Sequence, residues 1–68
     1  MKNMFRVNEL IVSLKDVEAA QVQYSDYSKA YILYIYMRNR RDCFSVEFKT
    51  MLEATKVFNE LMDELNKL

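Results

Sequence analysis

The sequence predicts an α+β domain: a small antiparallel sheet of three to four strands, ordered as a β-meander, packed on one C-terminal amphipathic helix. Three patterns carry that reading. After Thr50, apolar residues recur at the spacing of a helix face. From Phe44 to Lys49 they alternate with polar ones, as in a half-buried strand. From Ala30 to Met37 the chain is an unbroken run of small, aliphatic and aromatic side chains, rich in the residues that strands favour.

In chain order, Leu10-Ile11-Val12-Ser13-Leu14 is the first predicted strand. Val17 and the alternating Ala20, Val22 and Tyr24 predict a second, with a bend at Lys15-Asp16. A short helix over Leu14–Gln23 is the rival reading, because Val17-Glu18-Ala19-Ala20-Gln21 includes good helix formers. Ser25 to Lys29 is a polar connector into the Ala30–Met37 strand. The all-polar Arg38–Asp42 reads as a hairpin turn, with Asn39 best suited to a positive φ. In the next strand Phe44, Val46 and Phe48 face the core, and Ser45, Glu47 and Lys49 face away. Thr50-Met51-Leu52-Glu53 then opens the helix as a capping box. The Thr50 hydroxyl accepts from the Glu53 amide, and the Glu53 carboxylate reaches back to the Thr50 amide. Ala54, Val57, Phe58, Leu61, Leu65 and Leu68 form the apolar stripe of a helix over residues 51–67, and Asp63 faces Lys67 at i,i+4.

The chain has 68 residues, room for one domain over 1–68. A core of that size rarely supplies more than roughly 3–5 kcal/mol, so such domains often carry a staple. Cys43 is the only cysteine, which excludes an intramolecular disulfide. Histidine is absent, and one thiol cannot build a zinc site, so neither metal nor cofactor is expected. Association with a second copy, or an unusually good core, remains. Hydrophobic residues make up 51% of the chain and net charge is zero. The first figure argues against disorder. The second removes any bulk attraction to nucleic acid or anionic lipid. No apolar run approaches the ~20 residues of a membrane span. The first six residues lack the apolar stretch of a signal peptide, so a cytoplasmic location and no membrane contact are expected.

Glycine and proline are both absent. That excludes the phosphate-binding loop, the dinucleotide fingerprint and the nucleophile elbow, all built on glycine. Without histidine the commonest general base is also missing, so no enzyme is expected. Cys43 reads as a partly buried strand residue, and Glu60 with Glu64 as part of a solvated helix face.

The Ala30–Met37 strand points to a partner. Ala30, Ile32, Tyr34 and Tyr36 line one face, and Tyr31, Leu33, Ile35 and Met37 the other. A strand apolar on both faces is normally buried on both. One helix covers one face. Tyr31, Leu33, Ile35 and Met37 are therefore the expected interaction surface, shared with a second copy or a larger protein. The other reading folds Met4, Phe5 and Val7 over that face. Tyrosine and arginine are hot-spot residues in protein recognition, which makes a protein the favoured partner class. Single-stranded nucleic acid is the alternative: Arg38, Arg40 and Arg41 would meet phosphates while Tyr27 and the tyrosine-bearing sheet stack on bases. A third reading has the same arginines grip a small anionic ligand in a dimer cleft.

The segment Phe48-Lys49-Thr50-Met51-Leu52-Glu53-Ala54 resembles the strand–cap–helix junction of many small sheet-plus-helix proteins of bacteria and phages. Short, neutral chains without catalytic motifs resemble the accessory proteins of phages and mobile elements. That resemblance implies action by binding a larger protein.

Overall fold

The computed structural model describes residues 3–68. The elements run β1 (Met4–Val7), β2 (Leu10–Ser13), a 3₁₀ turn (Leu14–Asp16), β3 (Val17–Ser25), β4 (Ala30–Met37), β5 (Cys43–Phe48) and α1 (Met51–Asn66). The α+β class and the C-terminal helix stand as expected. The strands form two antiparallel sheets: a three-stranded meander, β3-β4-β5, and a separate hairpin, β1-β2.

The hairpin is the main departure from the sequence reading. Residues 10–13 do form a strand, but their partner is β1 and not β3. Phe5 lies opposite Val12 and Val7 opposite Leu10, so one side of the hairpin is wholly apolar. Phe5, Val7 and Val12 are buried by it, while Met4 and Ile11 on the other side stay exposed. A two-residue turn at Asn8-Glu9 joins the strands, with Asn8 at φ 54°. Asparagine tolerates this left-handed region better than most residues. The Leu14 amide donates to the Asn3 carbonyl at 2.6 Å, and the 3₁₀ turn then redirects the chain into β3. Of the rival helix over 14–23, only that single turn exists.

β3 solves a parity problem. Val17 and Ala20 both belong to the core side, yet they are three residues apart. A bulge between Val17 and Ala19 makes Glu18 the extra residue and resets the alternation. From there the register is regular: Ala20 opposite Ile35, Val22 opposite Leu33, Tyr24 opposite Tyr31. On the far side of β4, Phe44 lies opposite Ile35, Val46 opposite Leu33 and Phe48 opposite Tyr31. These pairings set one apolar face for the whole sheet.

α1 lies against β3, β4 and β5 and also touches β1. Ala54 and Leu61 have no exposed surface, and Val57, Phe58, Met62 and Leu65 pack around the core. Leu68 lies beyond the helix and is 60% exposed, outside the stripe assigned to it. The cap forms as expected on one side, with the Glu53 amide donating to the Thr50 hydroxyl at 3.2 Å. The Glu53 carboxylate differs: it accepts from the same hydroxyl, not from the Thr50 amide. At the other end Lys67 pairs with Glu64 at 3.3 Å and not with Asp63. Among the described residues, no helix is long and apolar enough to cross a membrane.

Candidate functional site

Helix and hairpin cover the same side of the three-stranded sheet. Leu33, Ile35 and Met37 share one core cluster with Phe5, Val7 and Val12 of the hairpin and Leu61 of the helix. This corrects the expected interaction surface. Leu33 and Ile35 have no exposed surface and Met37 is 8% exposed, so these side chains fill the interior. Phe5 and Val7 supply the internal cover. Tyr31 is half-buried at the edge of this face, its ring 5.0 Å from that of Tyr24 and tilted by 57°. Truncating Leu33 costs about 2–5 kcal/mol of packing, as for other buried leucines, and so probes the core and no interface.

The faces are exchanged relative to the sequence reading. The uncovered one carries Ala30, Ile32, Tyr34 and Tyr36 along its centre line. Register places Ala19, Gln21 and Gln23 beside them from β3, and Cys43, Ser45 and Glu47 from β5. None of these residues belongs to the core cluster. Ile32 is nonetheless only 9% exposed, sheltered among its neighbours on the sheet. Tyr34 and Tyr36 are half-buried, and Gln21 and Gln23 are exposed. The Gln21 amide donates to the Tyr36 hydroxyl at 2.7 Å, which holds both side chains against the sheet. Glu47 is the only charged side chain in these rows. The open face is therefore rich in amide and hydroxyl groups and almost free of charge.

The residues of the nucleic-acid alternative are split. Arg38, Arg40 and Arg41 are exposed in the β4–β5 loop. Tyr27 is fully exposed in the β3–β4 turn, at the opposite end of β4. An eight-residue strand separates them, about 25 Å at the usual rise. Arg40 is engaged on the core side, its guanidinium carbon 4.5 Å from the centre of the Phe44 ring. The Arg38 amide donates to the Asp16 carbonyl at 2.6 Å, tying the loop to the 3₁₀ turn.

Two shallow grooves flank the helix. One, about 610 Å³, lies between Glu47, Lys49, Glu53, Lys56 and Glu60, with acidic and basic groups mixed. The other, about 710 Å³, lies among Asn3, Lys15, Glu64, Lys67 and Leu68. Neither of these two grooves is lined by arginine. Glu60 and Glu64 line different grooves. Cys43 is half-buried at the start of β5, opposite Tyr36. Among the described residues, no group of three or more His, Cys, Asp or Glu side chains is placed to hold a metal ion.

No family model, curated protein or solved structure matches this chain.

The open face escaped the sequence reading because β4 is apolar on both sides. A sequence signal for it did exist. The alternate positions of β3, Ala19, Gln21 and Gln23, are uncharged and polar or small, and Ser45 lies across the sheet from them.

Proposed function

We propose that this chain is a non-enzymatic, cytoplasmic interaction protein that self-associates and recognises a protein partner through the open sheet face. One observation carries the reading: Tyr34, Tyr36, Gln21 and Gln23, set around a sheltered Ile32, form an uncovered, nearly charge-free surface on the sheet. Interface centres are depleted in charge and enriched in tyrosine. Tyrosine offers large contact area at low entropy cost, and amides adapt their hydrogen bonds to the partner. The partner implied is a folded protein with an uncharged, hydrogen-bonding surface. Phosphate-bearing partners fit this face poorly, because its rows hold no lysine or arginine and include Glu47.

The test uses the double variant Tyr34→Ala/Tyr36→Ala. Partners captured by the wild type are purified and their affinity measured by calorimetry. Two tyrosines acting as hot spots are expected to weaken binding by roughly 30-fold or more. Raising the salt is expected to change that affinity little. An unchanged affinity in the double variant overturns the surface assignment. Capture of nucleic acid with a steep salt dependence overturns the partner class.

A further inference from the structure

We infer that two copies of this chain join through the outer edge of β3, in antiparallel register centred on Gln21, to make one six-stranded sheet. The inference deepens the self-association in the proposed function and rests on it; its surface is the backbone edge of β3, which adjoins the partner face through Gln21. β3 is bonded to β4 on one side only. Among the described residues, none of the chain's other backbone hydrogen bonds reaches its outer edge. About half of its nine residues, at alternate positions, thus turn unpaired amides and carbonyls outward. Natural edges of that length are usually blunted by lysine, proline, inward charge, a bulge or a cover, and the bulge of β3 lies only at its start, leaving Ala19–Ser25 in regular register. β3 has no lysine and no proline. Its one charge, Glu18, sits in the bulge at the start of the strand. The β5 edge is shorter, six residues, and is bracketed by Arg41, Asp42 and Lys49.

The strand is also complementary to itself. Gln21 is its central residue, so a two-fold axis there pairs the regular stretch Ala19–Gln23 with its copy. Ala20 then lies opposite Val22 of the second copy, apolar against apolar on the core side. Gln21 lies opposite Gln21, amide against amide, and Ala19 beside Gln23 on the open side. From Ala19 to Gln23 every pair keeps its face, because antiparallel partners about a residue-centred axis share parity, while the bulge at Glu18 leaves the Val17 and Ser25 ends outside the match. Zero net charge leaves no overall repulsion between copies. The single chain exposes 5203 Å², against about 4,500 Å² for a monomer of this mass. The excess is of the order that each partner buries in a standard interface.

Charges of opposite sign introduced at position 21 test this. Gln21 is exposed, so Gln21→Lys and Gln21→Glu are expected to fold, which far-UV circular dichroism checks. Molar mass is measured by light scattering over a micromolar dilution series. The wild type is expected to be dimeric. Each variant alone places like charges across the axis, and its dissociation constant is expected to rise roughly tenfold or more. An equimolar mixture of the two is expected to recover the dimer mass. A wild type that stays monomeric at high micromolar concentration overturns self-association itself. A dimer equally strong in both variants overturns the β3 assignment and leaves self-association standing. Recovery absent from the mixture also overturns it. Because Gln21 also belongs to the open face and bonds the Tyr36 hydroxyl, Tyr34→Ala/Tyr36→Ala is measured in the same dilution series: an unchanged dimer constant supports the β3 edge, and one weakened as much as in Gln21→Lys overturns it.

Discussion

Lys29 sits at φ 56° in a chain that has no glycine to offer. A residue with a Cβ in the left-handed region is strained by roughly 1–2 kcal/mol. Part of any relief by glycine is offset by the freer unfolded chain. Lys29→Gly is therefore expected to raise stability by about 0.5–1 kcal/mol, read as a higher urea midpoint at unchanged slope. Asn8, at φ 54°, carries less strain because asparagine enters that region more readily. The position that seemed to need positive φ from sequence, Asn39, does not adopt it. The reason is loop length. The β4–β5 connection has five residues in which to reverse. The Asn8-Glu9 turn has two, and the 26–29 turn has four, braced by the Ser28 amide donating to the Ser25 hydroxyl at 3.2 Å. Turn chemistry without glycine is legible in kind, but which residue takes the strain depends on pairing register, which no single turn sequence contains.

Elements differ in how much of their cause is local. α1 was readable because its cap and its stripe are both contiguous in sequence. Thr50 accepts from the Glu53 amide, and Ala54, Val57, Phe58, Leu61 and Leu65 follow at helical spacing. Thr50→Ala is expected to lower stability by about 1 kcal/mol. Lys67→Ala, which breaks an ion pair whose side chains are 70% and 41% exposed, is expected to change stability by less than about 0.5 kcal/mol. Paired denaturation curves separate the two. β1 was not readable as a strand, because its four residues carry only two apolar–polar alternations. Its strand character comes from Val12 and Leu10 across the hairpin. The face of β4 that is covered was equally hidden. Its own residues are apolar on both sides, and the choice is made by neighbours: Phe44, Val46 and Phe48 on one strand, Ala20 and Val22 on the other. The candidate site inherits that uncertainty of face, so its tyrosines were visible in sequence but their exposure was not.

At the scale of the molecule the chain is a two-layer slab, 33 × 25 × 19 Å, with helix and hairpin on one side of the sheet and, among the described residues, nothing on the other. A domain this small has little stability in reserve. Pairing of β3 edges would extend the sheet and link folding to assembly. That linkage has a sign and a measurement. When only the folded chain associates, mass action stabilises the native state more as concentration rises. The thermal midpoint of the wild type is therefore expected to climb over a hundredfold increase in protein concentration. Gln21→Lys is expected to show a flat midpoint over the same range, close to the wild-type value at the dilute end. The Tyr34→Ala/Tyr36→Ala variant is expected to keep the concentration dependence, because its altered side chains lie on the open face and not on the β3 edge. A wild-type midpoint independent of concentration would mean that β3 remains unpaired in solution. A dependence that survives Gln21→Lys would place the contact elsewhere on the slab, with the exposed Met4 and Ile11 side of the hairpin as the next surface to alter.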